Sequence, residues 1–181
     1  MKEQLYFDDP EEGPSRDTSH PEFVRVCEDE LFYDCTDDFA PFGNDDGADA
    51  LSALEDWYRD GAKGTVRAFI DDKLEEWGMA IPDLEATDRV TVNGWLEDKK
   101  LATALQTTDN VVIAVAFGEA KITGRLDGGV AALARAALHR EAMVLEHHAR
   151  CDPSWPHAGR ANAAIRSMSA ALEKLGKLRG R

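Results

Sequence analysis

The sequence predicts a mostly α-helical bundle with an irregular acidic segment at its N-terminal end. Three observations predict this class: apolar residues recur at helical spacing from Asp46 onward, a long alanine-rich run follows Gly129, and residues 1–60 are acidic and aromatic without a sustained period. A length of 181 residues suits a single domain, 1–181. Apolar residues at 43% and charged residues at 31% are ordinary for a globular protein.

Residues 1–19 predict an extended arm that becomes ordered where residues 5–7 meet an apolar groove. Ser19-His20-Pro21 predicts a helix start, because proline is tolerated in the first turn, and this helix should reach about Glu30. The following segment, LFYDCTDDFAPFG, is aromatic, acidic and interrupted by Pro41, which is typical of a packed loop.

Two amphipathic helices are predicted next, from Asp46 to Asp60 and from about Thr65 to Met79. Residues 83–94 predict a linker, within which VTVNG is either a brief strand or irregular. Apolar residues between Trp95 and Leu105 predict another short helix.

The segment from Asp109 to Gly124 admits two interpretations. By β-propensity VVIAVAF is a strand, which leaves an α+β fold with a short strand near 110–117 as the alternative class. Alternating alanines, a capping Asp109 and a terminating Gly124 favour a buried helix, with Glu119 and Lys121 on its exposed edge. A long helix should open at Asp127-Gly128-Gly129, and a last one should span about residues 160–178.

The net charge of −14 is concentrated near the N-terminus, where residues 1–60 carry 19 acidic and 4 basic side chains. Residues 150–181 carry 2 acidic and 7 basic ones, so this basic tail either folds onto the acidic end or serves a separate partner. The acidity disfavours nucleic acid as a ligand, because phosphate binding needs a basic surface. No apolar run approaches the ~20 residues of a membrane span, and three cysteines without a signal peptide favour a cytoplasmic protein.

The stretch from Asp37 to Leu51 holds five aspartates, and three interpretations compete for it. An EF-hand register fails because Phe42 and Ala53 fall at ligand positions. Helix capping by Asn44 or the adjacent aspartates explains most of the stretch. A looser divalent site and an exposed acidic surface that includes Asp34 are the other two interpretations.

Ser19-His20-Pro21 followed by FYDCTDDFAPFGNDDGADAL resembles the signature of the YfeS-like bacterial proteins. The similarity covers mainly residues 19–60 and implies a bacterial cytoplasmic origin, but no activity. Some relatives carry a Trp-Gly-Arg module, which Trp77-Gly78-Met79 does not match because the arginine is missing.

The sequence lacks a nucleophile elbow, a Cys-x-x-Cys pair and a phosphate-binding glycine loop, so no cofactor is expected. His147, Cys151 and His157 have no standard zinc spacing.

Glu141 and Glu146 make a poor carboxylate pair, because residues five apart project from different faces of a helix. Trp155, between two prolines in a loop, is the aromatic residue that most favours a binding role.

We therefore expect a non-enzymatic protein-binding domain, immunity- or regulator-like, whose acidic face docks a basic partner. The predicted partner-binding residues are Tyr33, Asp34, Asp37, Asp38, Phe39, Asp45, Asp46 and Tyr58. The alternative is a divalent-metal-dependent hydrolase that uses the carboxylates between Asp37 and Asp49, with Asp45, Asp46 and Asp49 as weak ligand candidates. The sequence does not determine the oligomeric state.

Overall fold

The computed structural model describes residues 4–178 and is 64% helical, with seven α-helices and no β-sheet in this part of the chain. The predicted mostly α class is confirmed, and the strand alternative is wrong because residues 110–117 lie inside a helix. The helices are α1 (Pro21–Val26), α2 (Asp45–Arg59), α3 (Val66–Trp77), α4 (Arg89–Glu97), α5 (Lys99–Thr123), α6 (Gly128–Cys151) and α7 (Ala158–Leu175), with a 3₁₀ turn at Glu30–Phe32.

Helix α5 is the centre of the bundle and packs against α2 and α6. It begins ten residues before the predicted cap at Asp109, because the Asp98 carboxylate accepts hydrogen bonds from the backbone N–H groups of Lys100 and Leu101 at 2.8 and 3.0 Å. Valine and isoleucine have modest helix propensity, but the intervening alanines let neighbouring helices pack closely around them. Tertiary packing therefore decides the conformation of this segment.

By length and composition alone, α5 is also apolar enough to cross a membrane. Within the fold, however, 72% of its most apolar stretch is buried against the rest of the chain, which is typical of a core helix.

Helix α4 corrects the prediction that residues 83–94 form a linker. Asp88 caps it by accepting a hydrogen bond from the Thr91 N–H at 2.9 Å. Val92 and Trp95 are buried in a small apolar cluster that includes Leu105. The expected short helix between Trp95 and Leu105 is instead divided at Asp98, which ends α4 and caps α5.

Residues 4–19 contain no helix and run over the C-terminal part of α5, whereas residues 1–3 of the predicted arm lie outside the described part. The Tyr6 N–H donates to the Ile122 carbonyl at 3.1 Å, and the side chains of Leu5 and Phe7 pack against the main core. The Asp8 N–H donates to a carboxylate oxygen of Glu55 at 2.9 Å. This segment therefore covers one end of the central helix.

Glu119 and Lys121 are buried, so the prediction that they lie on an exposed helix edge is wrong. Lys121 is 0% exposed, and its Nζ lies 2.6 Å from Asp8 and 3.8 Å from Glu55. Glu119 is 8% exposed and accepts a hydrogen bond from the Asp127 N–H at 3.2 Å. The N-terminal segment supplies the counter-charge that makes burial of the lysine tolerable.

The acidic loop between Thr36 and Asn44 folds so tightly that Gly43 within it and Gly47 in the first turn of α2 have no room for a side chain. A Cβ at Gly43 would lie 2.1 Å from the backbone oxygen of Asp37, and one at Gly47 would lie 2.4 Å from that of Pro41. Asn44 then caps α2 by accepting from the Gly47 N–H at 2.8 Å, which confirms the capping prediction. The glycines of the Phe-Gly-Asn-Asp-Asp-Gly run thus have a packing role.

Replacing Glu119 with glutamine is expected to reduce the dependence of stability on pH. Burial raises the pKa of Glu119 to about 7, so the folded chain binds more protons than the unfolded chain between about pH 4.3 and pH 7. The free energy of unfolding therefore falls as pH rises through this window, by on the order of 2 kcal/mol from this group. Glutamine still accepts the Asp127 hydrogen bond but does not ionise.

Thermal melting of wild type and Glu119→Gln across about pH 5 to pH 8 measures this difference. The two melting curves should separate at the alkaline end, with the variant the more stable. Glu75→Gln, at an exposed position on α3, is the matched control. If the melting temperatures of wild type and Glu119→Gln changed equally with pH, Glu119 would not have the raised pKa that its burial implies.

Candidate functional site

A cleft of about 710 Å³ lies where α5, α6 and α7 face the acidic loop. Its volume is within the range of natural ligand sites. Helix α5 contributes the side chains of Gln106 and Asn110, and α6 contributes Glu141 and His148, two positions seven residues apart on one helix face. The cleft thus combines apolar walls with a few polar groups, as binding sites do.

Aromatic rings form one wall of the cleft. The ring centroids of Phe39 and Trp155 are 6.0 Å apart in an edge-to-face arrangement, and those of Trp155 and His157 are 5.8 Å apart. The His148 ring lies 6.1 Å from Trp155. Two residues that the sequence favoured for binding, Phe39 and Trp155, therefore line the same cleft, and such rings attract cations through their faces.

The acidic loop and α7 are joined by an ion pair at the cleft. Asp37 is only 8% exposed, and its Oδ2 accepts hydrogen bonds from Arg160 Nη2 at 2.8 Å and Nε at 3.1 Å. Asp38 lines the cleft and is exposed, and within residues 4–178 its carboxylate has neither a hydrogen-bond nor an ion-pair partner. Asp37 therefore fixes the loop to α7, whereas Asp38 remains exposed in the cleft.

Glu141 is the second unpaired carboxyl group of the cleft, and sequence reasoning missed it. It is partly buried on α6, and no hydrogen bond or ion pair reaches it in the described part of the chain. Burial raises its pKa to about 8, and the nearby charge of Asp109 raises it further while Arg140 opposes both effects. A glutamate inside an alanine-rich helix, on the face shared with His148, was the signal in the sequence.

The neighbouring buried pair explains why Glu141 lacks a partner. Arg140 is 0% exposed and donates from Nε to both oxygens of Asp109 at 3.0 and 3.2 Å. Its Nη1 donates to the backbone oxygens of Leu84 and Ala86 at 2.8 and 3.0 Å, and its Nη2 also binds Asp109. All three guanidinium nitrogens are engaged away from Glu141. Burial raises the pKa of Asp109, and the adjacent Arg140 charge counteracts this.

Tyr33 and Asp34, predicted to bind a partner, do not line the cleft. The Tyr33 hydroxyl donates to the Cys27 backbone oxygen at 2.9 Å, and the Arg16 guanidinium lies 4.5 Å from its ring centre. Asp34 accepts hydrogen bonds from the Thr36 hydroxyl and N–H, both at 2.7 Å, and these bonds lower its pKa. Both residues thus stabilise the segment that leads into the loop.

The remaining candidates lie on α2. Asp45 and Asp49 are exposed, whereas Asp46 accepts a hydrogen bond from Asn110 Nδ2 at 3.1 Å. Tyr58 packs edge-to-face on Trp57 with ring centroids 5.0 Å apart, and burial raises the pKa of its hydroxyl. None of the four lines the cleft.

Among residues 4–178, no three His, Cys, Asp or Glu side chains are grouped so that they could hold a metal ion. The divalent-metal hydrolase therefore remains a prediction from sequence, with Asp45, Asp46 and Asp49 as its ligands. Calorimetric titration with Mg²⁺, Mn²⁺ and Ca²⁺ tests it directly, because stoichiometric binding would also raise the melting temperature.

No family model matches this chain, and no solved structure matches it. Among curated proteins, it is 31% identical over 143 residues to a protein of Escherichia coli (strain K12) described as uncharacterized protein YfeS. The alignment covers 78% of this chain and 58% of that protein, so the chain spans less than two thirds of its relative's length. The resemblance that residues 19–60 carry thus extends over most of the sequence, and the chain is a YfeS-like protein.

Proposed function

We propose that this protein is a non-enzymatic binding protein whose cleft receives a basic segment of a protein partner. The observation that carries the proposal is the presence of two unpaired acidic side chains, Asp38 and Glu141, in a cleft that also presents aromatic rings. Carboxylates and aromatic faces both favour a cationic group, and here they line the same cleft.

The charge of the whole chain supports the same class of partner. A net charge of −14 attracts a basic protein over long distances and accelerates encounter at low salt. Asp34, Asp45 and Asp46 contribute to this field from outside the cleft. The anchoring role moves from Tyr33 and Tyr58, whose rings pack within the fold, to Phe39 and Trp155.

Asp38→Asn is expected to weaken the binding of a basic peptide by about two- to five-fold, with the larger effect at low salt. The reason is that Asp38 is exposed, so solvent and salt screen its attraction for a cation. Titration calorimetry with an arginine-rich peptide at two salt concentrations measures the change.

Asp72→Asn is the matched control, because it removes the same charge from an exposed position on α3, away from the cleft. Equal weakening by both substitutions would show that net charge alone attracts the peptide. An absence of peptide binding to the wild-type protein at low salt would refute the proposed function.

A further inference from the structure

We propose that the cationic group recognised by this cleft is an arginine guanidinium seated against Glu141, and that Glu141 releases a proton to solvent when the guanidinium enters. This inference rests on the proposed function, because it specifies the chemistry of the basic segment. It adds a binding residue that neither the sequence motifs nor the family resemblance assigns.

The first step of the argument is that Glu141 has hydrogen-bonding capacity to spare. Its neighbour Arg140 uses every guanidinium nitrogen on Asp109 and on two backbone oxygens. No other described side chain donates to Glu141, although the residue is partly buried. An ionised carboxylate without a cationic partner is unfavourable in such surroundings, so burial favours the neutral acid.

The second step concerns the charges around this carboxyl group. Asp109 disfavours ionisation of Glu141 and Arg140 favours it, and burial outweighs both, so its pKa is raised to about 8. The other charged or titratable side chains that line the cleft are Lys99 on α5, His148 on α6, Arg160 on α7, and Asp37, Asp38 and His157 in the loops. Arg160 is already paired with Asp37, and none of these groups forms an ion pair with Glu141.

The third step is the proton balance. At neutral pH the neutral Glu141 carboxyl group carries one proton, which an incoming cation displaces because the ion pair needs the carboxylate. The proton passes to the buffer, and the charged guanidinium remains charged because its own pKa is far above neutrality. Binding should therefore strengthen as pH rises from 6 to 8.

The fourth step selects arginine over lysine. A guanidinium is planar and weakly hydrated, so it stacks on rings such as Phe39 and Trp155 while it donates several hydrogen bonds. Asn110, which lines the cleft, donates a hydrogen bond from its amide nitrogen to Asp46, so its amide oxygen is still available as an acceptor. The ammonium group of lysine is compact and strongly hydrated, so it would stack on the rings less favourably while it donates hydrogen bonds.

The test is calorimetry at pH 7 with an arginine-rich peptide, in phosphate and in Tris, whose ionisation enthalpies differ. We expect release of close to one proton per bound peptide by the wild-type protein and by Asp38→Asn, and of none by Glu141→Gln. Glu141→Gln should bind the arginine-rich peptide at least ten-fold more weakly than wild type does. Wild type should bind a peptide with lysines in place of the arginines more weakly than the arginine-rich peptide.

The outcomes separate the two proposals. Peptide binding without proton release, or with equal release by Glu141→Gln, would overturn this inference and leave the proposed function standing. If neither peptide bound the wild-type protein, the proposed function and this inference would both be overturned.

A measurement on the free protein tests the inference independently of peptide binding. Carbon-13 NMR of carboxyl-labelled glutamates, with Glu141→Gln to assign the signal, reports the titration of Glu141 in the free protein. A midpoint well above the ordinary value of about 4.3 is expected, and an ordinary midpoint would overturn the inference. Circular dichroism confirms that the variant is folded.

Discussion

Replacing Arg140 with methionine is expected to lower the free energy of unfolding by about 3–5 kcal/mol at neutral pH. The substitution leaves Asp109, which is 0% exposed, without its counter-charge, and it also removes the donors to the Leu84 and Ala86 backbone oxygens. Those two carbonyls belong to the segment that leads into α4, so this part of the fold should loosen first. Urea denaturation measures the loss.

A second variant separates loss of charge pairing from loss of packing. Replacing Asp109 with leucine together with Arg140→Met removes both charges, so the double variant should be more stable than Arg140→Met alone. Arg89→Met is the surface control, because the Arg89–Glu146 pair is exposed although its closest atoms are 2.6 Å apart. Little change in stability is expected there. An Arg140→Met variant as stable as wild type would contradict the buried-pair interpretation.

Replacing Gly43 with alanine is expected to destabilise the protein by roughly 3 kcal/mol and to impair peptide binding. The new Cβ would lie 2.1 Å from the backbone oxygen and 2.8 Å from the backbone carbon of Asp37, so the main chain must shift. Asp38 and Phe39 follow Asp37 directly, and the same shift would move them at the cleft. Thermal melting and peptide calorimetry measure the two effects.

The matched control is Gly94→Ala in α4, where an added Cβ meets no atom within 4 Å. Because glycine is unfavourable inside a helix, this variant should gain about 0.5–1 kcal/mol. The two substitutions are chemically identical and should change stability in opposite directions. Similar destabilisation by both would show that the tight approach at Asp37 is not the cause.

Most helices were predictable because their signals are local. Asn44 and Asp127 cap α2 and α6 as the sequence indicated, and helical spacing identified the apolar faces that follow them. The alternating alanines around 110–117 correctly predicted a helix, although the valines of this segment have high β-propensity. Asp88 caps α4 in the same way, but the sequence pattern of residues 83–94 indicates a linker and does not predict this helix.

The cleft could not be predicted from local patterns because its residues come from distant parts of the chain. The partner of Asp109 is 31 residues away, and that of Lys121 lies in the N-terminal segment. Periodicity assigns a charged residue to a helix face but does not reveal which other element covers that face. Glu119 and Lys121 were wrongly assigned to an exposed edge for this reason, and the place of Glu141 in the cleft was not predicted.

The Asp37–Arg160 ion pair joins positions 123 residues apart, and this has a consequence for protein synthesis. The chain emerges from the ribosome N-terminus first, so the acidic loop is made long before α7 exists. The cleft is therefore incomplete on the nascent chain until α7 has been synthesised and has folded against the acidic loop.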